Sequence, residues 1–232
     1  MNPEVSTELH ARSGLLSNFI LGSQDGLVNV LGILLGLVAA SSGIRLIFVA
    51  ALAALVAESI SMGAVAYTST LARRKHYLKE VSREETEMRE VPQIERDEVR
   101  GVFQRWGYEG EELERATDLI ASKPKAWLEF MMSYELGLEL VDESEPRRNF
   151  LIVLSSSVFG SIIPLVPYFL VGNDVLLGAL GSVAVSGVAL FVIGYYEART
   201  TVGSIWKSGL QMAAIGLAAG LAGFLVGHLV GA

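Results

Sequence analysis

Two acidic residues stand in stretches of the chain that are otherwise apolar enough to cross a membrane. Asp25 lies in the first such stretch and Glu58 in the second. An ionisable side chain inside a bilayer is costly, so it usually faces a cavity or a partner and has a function. Helical spacing places Asn29 one turn after Asp25 and Met62 one turn after Glu58. We therefore predict that these four side chains line a pathway for a cation.

A structural interpretation of the two acids is also open. In that interpretation Asp25 lies near the lipid headgroups, and Glu58 pairs with Arg45 or with a lipid amine. Unpaired acids inside membranes are rare and are usually functional, and for this reason the sequence favours the pathway.

A second group of acids lies in a strongly charged block later in the chain. Glu84 and Glu87 form one Glu-x-x-Glu pair, Glu95 and Glu98 form another, and each pair falls on one helix face. Like charges so close cost stability, and a divalent cation between the carboxylates offsets that cost. A charge run is more often a solvated face, and four basic residues offer partners for these acids: Arg83, Arg89, Arg96 and Arg100.

The same block supplies two thioethers next to a further acid. Met131 and Met132 precede Glu135 by about one helical turn. Oxygen ligands alone suit Mg²⁺, Ca²⁺ or Mn²⁺, and thioethers shift the preference towards Fe²⁺, Co²⁺ or Zn²⁺. The ligand types therefore favour Fe²⁺ first and Mn²⁺ second. Adjacent methionines can also be core filler, and spacing alone favours a solvated face over a metal site.

The composition excludes several other kinds of chemistry. The chain has no cysteine, which rules out thiolate metal sites, Fe–S clusters and cysteine catalysis. A formal net charge of −7 argues against nucleic acid as a partner. There is no P-loop for ATP and no Glu-x-x-His pair of the kind that di-iron enzymes use. We expect neither an enzyme nor a resident prosthetic group.

The elements that must position these residues are membrane helices. The chain is 51% hydrophobic, its mean hydropathy is +0.45, and 33 of its 43 charged residues fall between Arg73 and Arg148. A helical span needs about 20 apolar residues. We predict an all-α membrane protein with five transmembrane helices: Leu15 to Ala40, Leu46 to Leu71, Asn149 to Asn173, Val175 to Tyr196 and Ser208 to Ala232.

The charged block has the composition of a folded helical domain rather than of a linker, because it is poor in Ser and Pro and contains aromatic residues. Helices are expected over 77–90, 93–105 and 111–122, and a fourth begins at Pro124. The predicted organisation has three parts: an N-terminal tail with transmembrane helices 1 and 2 (1–72), a cytosolic acidic helical metal-binding domain (73–148), and transmembrane helices 3 to 5 (149–232).

The basic residues predict the orientation in the membrane. Seventeen of the 18 Lys and Arg lie in the N-terminal tail, the charged block and the loop after the fourth span, whereas the other face has only Arg45. By the positive-inside rule the N-terminus and the acidic domain are cytosolic, and the C-terminus is lumenal or extracellular. The membrane itself, a plasma membrane or a vacuole-like one, stays open.

Glycine pairs four residues apart are frequent in the first and last spans. The pairs are Gly22 with Gly26, Gly32 with Gly36, Gly216 with Gly220, and Gly223 with Gly227. Such pairs let helices approach closely. Spacing alone leaves open whether they pack helices within one chain or form a homodimer seam with the pathway between protomers.

Taken together, these motifs resemble the vacuolar iron transporter family over nearly the whole chain. The resemblance rests on their order and spacing across five spans and an inserted acidic domain. The motifs are Asp25-Gly26, Ser61-Met62-Gly63, the two Glu pairs around Pro92, Phe130-Met131-Met132, Glu135-Leu136-Gly137, Ile163-Pro164 and Pro167-Tyr168. The resemblance implies a homodimer that moves Fe²⁺, and often Mn²⁺, out of the cytosol in exchange for protons, for iron storage or detoxification.

The resemblance also implies roles for individual residues. Asp25 and Met62 would be pathway ligands at the dimer interface, and the cytosolic metal site would consist of Glu84, Glu87, Glu95, Glu98, Met131, Met132 and Glu135. The chain departs from the family at Ala54 and Ala66, where members often carry acids. Glu58 lies on the same helix face as Ala54 and is expected to substitute.

Two other functions stay open at this point. One is a Mn²⁺ or broad divalent cation exporter that also accepts Zn²⁺ or Co²⁺. The other is a membrane-anchored protein that buffers or senses metal, in which the spans only dimerise. An anchor has no reason to carry Asp25 and Glu58 inside its spans, and this favours transport.

Overall fold

The computed structural model describes residues 3–200 and 204–231, with side chains over 14–199 and 204–231. Within these ranges all regular structure is helical, as the sequence predicts. The helices are α1 Pro3–Ala39, α2 Ile44–Glu90, α3 Pro92–Arg105, α4 Gly110–Ala121, α5 Pro124–Phe130, α6 Glu145–Ile162, α7 Val166–Val171, α8 Val175–Thr200 and α9 Ile205–Gly231. The side chains of the polar N-terminal tail, including that of Arg12, lie outside the described residues.

Five of the described helical segments are long and apolar enough to span a membrane, and this confirms the number of spans that the sequence predicts. They are Gly14–Ala39, Ile44–Glu90, Glu145–Val171, Val175–Arg199 and Ile205–Gly231. Each contains at least 25 residues, which exceeds the roughly 20 that a bilayer core requires.

The second helix is longer than the sequence prediction allows. We expect a span that ends at Leu71 and a separate helix over 77–90, whereas α2 continues without a break to Glu90. No Gly or Pro occurs between Gly63 and Pro92, so nothing in the sequence interrupts the helix before that proline. The polar residues after Leu71 therefore extend the apolar helix instead of starting a new one.

The third span is broken near its end by two prolines. After α6 the backbone tightens into a 3₁₀ turn over Ile163–Leu165 and continues as α7. Pro164 and Pro167 lack the backbone N–H groups that a continuous α-helix needs. The hydroxyl of Ser182 on α8 donates a hydrogen bond of 2.7 Å to the carbonyl oxygen of Pro164, which fixes the broken segment to the neighbouring helix.

The chain divides into two compact units. The first comprises Met1–Tyr67 and Arg147–Ala232, and the second comprises Thr68–Pro146. We call them the membrane unit and the acidic unit. The core of the membrane unit includes fully buried residues of α1 at helical spacing, Leu31 and Leu34 among them, together with Ile47 of α2.

Backbone contact between glycines joins α1 to α9. A Cβ atom on Gly223 would collide with the carbonyl oxygen of Gly32, and one on Gly227 with that of Gly36. The glycine pairs of the first and last spans therefore pack helices within one chain at these positions. A Cβ on Gly26 would likewise collide with α6 of the same chain.

The acidic unit has its own apolar core and a set of ion pairs between α3 and α4. Arg96 binds Glu114 at 3.0 Å and Asp118 at 2.8 Å, and Arg100 binds Glu114 at 2.7 Å. The core beneath them is formed by Val99, Val102, Phe103, Leu113, Trp127, Phe130 and Met131. The segment after α5 continues as a π-helical turn over Met131–Glu135.

Candidate metal sites

A cleft in the membrane unit collects three of the four side chains that the sequence predicts for the pathway. It has a volume of about 810 Å³ and is lined by α1, α2 and α9. Asp25, Asn29 and Glu58 supply its polar side chains, and the remaining lining residues are apolar or glycine. The cleft thus offers two carboxylates and one amide within segments that are apolar enough to span a membrane.

A hydrogen bond connects α1 to α2 at this cleft. The amide Nδ2 of Asn29 donates to Oε2 of Glu58. Glu58 is thus bound by the Asn29 amide, whereas the structural interpretation of the two acids expects Arg45 or a lipid amine as its partner. Met62 lies one turn further along α2, is half-buried, and is not among the residues that line the cleft.

Buried serines next to the cleft helices are a feature that our sequence analysis missed. Ser23, Ser59, Ser157 and Ser161 are all nearly or fully buried. The hydroxyls of Ser59 on α2 and Ser157 on α6 are 3.1 Å apart and hydrogen-bonded. The hydroxyl of Ser161 has no hydrogen-bond partner among the described residues. The run of three serines at 155–157 in a predicted span was the available sequence signal.

Three carboxylates meet in the acidic unit. Glu84 and Glu87 project from α2 and Glu95 from α3, and one carboxylate oxygen of each lies within 4.8 Å of the others. The chain turns at Val91 between the two helices, and Pro92 begins α3. This turn brings the first Glu pair of the sequence to the first residue of the second pair, a geometry that could hold a metal ion.

Burial raises the pKa values of two of these carboxyls. Glu84 and Glu95 are only 2% and 3% exposed, and apart from a hydrogen bond between the two carboxyls, Oε2 of each has no partner among the described residues. Burial, followed by the neighbouring charges of Glu98 and Glu84, raises the pKa of Glu95 to about 8. The pKa of Glu84 is also raised, chiefly by burial. Unpaired buried carboxylate oxygens are costly, and a bound cation would satisfy them.

Two further acids act on this cluster through their charge. Burial and then the charges of Glu135 and Glu87 raise the pKa of Glu98. The charge of Glu135 also contributes to the raised pKa of Glu84. Both Glu98 and Glu135, which the sequence assigns to the metal site, therefore lie within electrostatic range of the three carboxylates.

The two methionines have different surroundings. Met131 is fully buried and belongs to the apolar core of the acidic unit, which favours the core-filler alternative for this side chain. Met132 is also buried, outside that core cluster. The π-helical turn, in which the amide of Leu136 bonds to the carbonyl of Met131, changes the register between the methionines and Glu135 from the α-helical spacing that we assumed.

The four arginines that the sequence offers as partners for the Glu pairs differ in whether they contact the carboxylate cluster. Arg83 lies 3.0 Å from Glu84 and 3.7 Å from Glu87. Arg96 and Arg100 instead bind α4, and Arg89 pairs with Glu85 at 3.9 Å. Arg83 is therefore the one of these four whose ion pairs reach the cluster.

The fold and these two sites define a class: a multi-pass helical membrane protein with clustered carboxylates that could hold cations. The model of the VIT family matches residues 16–228 of the chain. A vacuolar iron transporter 1 of Arabidopsis thaliana is 32% identical over 225 residues, which cover 97% of this chain and 90% of that protein. A vacuolar iron transporter 2 of Oryza sativa subsp. japonica is 36% identical, with 94% and 89% covered. A vacuolar iron transporter of Plasmodium falciparum (isolate 3D7) is 30% identical, with 91% and 81% covered.

The chain belongs to the VIT family. This membership confirms the resemblance found in the sequence. It also confirms that the chain is an integral membrane protein of a transporter family and not an enzyme.

Proposed function

We propose that this protein transports Fe²⁺ out of the cytosol in exchange for protons, for iron storage or detoxification. The relatives are named as iron transporters. The observation that carries the proposal is the cleft of the membrane unit, where Asp25, Asn29 and Glu58 meet. Oxygen groups of this kind bind divalent cations, and their placement inside candidate spans is what a pathway requires.

Proton exchange follows from the chemistry of the two carboxylates. A carboxylate must lose its proton before it binds a metal, so protons and Fe²⁺ compete for Asp25 and Glu58. Binding from one side and protonation from the other then exchanges the two ions. The hydrogen bond from Asn29 holds Glu58 at the cleft in a fixed position for this competition.

The acidic unit would bind metal on the cytosolic side. Glu84, Glu87 and Glu95 form a compact set of carboxylates, with Glu98 and Glu135 close enough to add charge. We place this unit and the N-terminus in the cytosol and the C-terminus in the lumen or outside, because the basic residues concentrate on one face. Metal bound there raises the local supply to the pathway.

A homodimer completes the proposal. Asp25 and Asn29 are exposed in the single chain although they lie in a candidate span. Lipid is an unfavourable neighbour for both side chains, and a second copy would cover them. The oxygen donors of the cleft also suit Mn²⁺, and we include Zn²⁺ and Co²⁺ among the divalent cations that it would accept.

Proteoliposomes test the transport step directly. We expect anaerobic Fe²⁺ uptake under an imposed pH gradient to be accompanied by proton exit, and Asp25→Asn to abolish both. Asp174→Asn is the matched control, because it removes one acid at the start of α8 and keeps a side-chain oxygen for the hydrogen bond from Leu177. Near-normal flux in Asp25→Asn would contradict the proposed pathway.

The test also separates a second function. The buried, clustered carboxyls of Glu84 and Glu95 favour metal binding by the acidic unit whether or not the spans conduct. If the purified protein binds Fe²⁺ and moves none, it is a membrane-anchored buffer or sensor rather than a transporter.

A further inference from the structure

Arg83 uses all three guanidinium nitrogens to face carboxylates of its own helix. Its Nε lies 2.7 Å from Oε2 of Glu80, its Nη2 lies 3.0 Å from Oε1 of Glu84, and its Nη1 lies 3.7 Å from Oε2 of Glu87. Two of these three acids belong to the carboxylate cluster. A permanent positive charge of the protein itself therefore contacts the carboxylate cluster that we assign to the metal.

The contact leaves part of the cluster free. Arg83 binds Oε1 of Glu84, while Oε2 of Glu84 and Oε2 of Glu95 are buried and, apart from the hydrogen bond between these two carboxyls, have no partner among the described residues. The arginine side chain is 46% exposed, in contrast to the buried Glu84 that it holds. It can therefore move towards solvent without disturbing the apolar core, whereas the buried carboxylate of Glu84 cannot.

We propose that Arg83 is a tethered counter-cation that competes with the metal ion for Glu84 and Glu87 and so sets the metal affinity of the cluster. It acts through its charge and is not a ligand. The inference rests on the proposed function only in treating the cluster as the metal site. Without metal, the guanidinium partly neutralises the cluster. With metal, it repels the ion and keeps binding reversible.

The physical basis is the permanent charge of the guanidinium. Arginine stays protonated under all physiological conditions, so its repulsion of a divalent ion does not depend on pH. At the separation of neighbouring ion pairs, and at a partly exposed position, one added positive charge weakens binding of a divalent cation by about threefold to tenfold. A site that supplies ions to a pathway must also release them. Arg83 limits the metal affinity of the cluster and so permits this release.

Mn²⁺ binding to the full-length protein in lipid nanodiscs tests the inference, with free Mn²⁺ measured by electron paramagnetic resonance. We expect Arg83→Gln to lower the Kd by about threefold to tenfold. Arg83→Lys keeps the charge and should restore most of the wild-type Kd. Arg89→Gln is the matched control, because Arg89 lies on the same helix and pairs with Glu85 outside the cluster.

Two results would overturn the inference. If Arg83→Gln weakens Mn²⁺ binding, the arginine preorganises the carboxylates instead of competing with the metal. If Arg89→Gln tightens binding equally, the effect is the general field of the unit and not a contact. In a Glu84→Gln background, the effect of Arg83→Gln should shrink, since one of the two contested carboxylates is gone.

Transport adds a measurement that a purely structural role would not change in the same way. We expect Arg83→Gln to lower both the KM and the maximal rate of metal uptake, since tighter loading slows release, and Arg83→Lys to behave like the wild type. If no variant moves metal, the wild type included, the proposed function fails. The Mn²⁺ affinities then still decide the role of Arg83.

Discussion

At the scale of single residues, burial rather than charge count distinguishes the carboxylate cluster from an ordinary acidic surface. Exposed acids such as Glu85 are solvated and pair with a neighbouring arginine. Glu84 and Glu95 are buried and hydrogen-bonded to each other, and burial is the chief cause of their raised pKa values. The sequence spacing of the acids is the same for a solvated helix face and for a metal site. The difference lies in the burial of Glu84 and Glu95, which depends on tertiary packing.

Metal binding to the cluster should depend on pH because Glu95 must lose a proton. Its pKa is raised from 4.5 to about 8, so at neutral pH the metal displaces a proton that the carboxyl still holds. We expect Mn²⁺ affinity to rise between about pH 6 and about pH 8, with proton release measurable by calorimetry in buffers of different ionisation enthalpy. Glu85→Gln should leave this dependence unchanged, and Glu95→Gln should remove most of it.

The same shift has the opposite sign for the stability of the metal-free protein. The contribution of a group whose pKa is raised on folding is fully present below its unfolded value of 4.5 and is lost as the pH rises through about 8. Thermal unfolding of the metal-free protein should therefore occur at lower temperature as the pH rises through this window. Added Mn²⁺ should reverse the trend, and an unchanged melting temperature would contradict the burial of Glu95.

The cluster as a whole should matter most when metal is scarce. Uptake at low Fe²⁺ should fall, and uptake at high Fe²⁺ should change less, when four acids are replaced by Gln: Glu84, Glu87, Glu95 and Glu98. A control set with the same number of Glu→Gln changes uses exposed acids of the same unit: Glu109, Glu111, Glu112 and Glu139. An equal loss at all Fe²⁺ concentrations would argue against a loading role.

At the scale of elements, the glycine contact between α1 and α9 determines one wall of the cleft. Gly36 and Gly227 touch through their backbones and also line the cleft. Small residues are the means by which helices approach closely in lipid, where no hydrophobic force drives them together. Helix packing and cleft shape therefore depend on the same residues.

A methyl group at this contact should destabilise the membrane unit. Overpacking a tight contact costs about 1–3 kcal/mol, so Gly227→Ala should lower the thermal unfolding temperature in detergent and reduce uptake. Gly14→Ala is the control, because a Cβ there meets nothing within 4 Å. Equal melting temperatures for the two variants would mean that α1 and α9 can separate at no cost.

The sequence predicts the helices well and their partners poorly. Apolar length alone identifies the five spans, and the absence of Gly and Pro after Gly63 is visible in the sequence, although the expectation of a separate helix over 77–90 is wrong. The contact of Arg83 with Glu87 has the local i, i+4 spacing, whereas the pairing of Arg96 with Glu114 and Asp118 depends on the packing of α4 against α3, which no local pattern encodes. The core position of Met131 depends on tertiary packing in the same way.

At the scale of the whole molecule, the orientation in the membrane remains a prediction from the basic residues, and the absence of cysteine makes it easy to test. Gly43→Cys places a thiol in the exposed turn between α1 and α2, and Ser122→Cys places one in the acidic unit. In sealed vesicles of known orientation, an impermeant maleimide should label Ser122→Cys from the cytosolic side and Gly43→Cys from the opposite side. Labelling of both from one side would contradict the predicted topology.

The backbone contact of α1 with α9 also restricts the direction in which the cleft can change shape. Main-chain atoms already touch at Gly36 and Gly227, so these two helices can move apart but cannot move closer. This limit is steric and is set by main-chain atoms, so a change of side-chain rotamer cannot relieve it. Unless α1 and α9 pivot about this contact, we expect motion that narrows the cleft to come from α2, which carries Glu58.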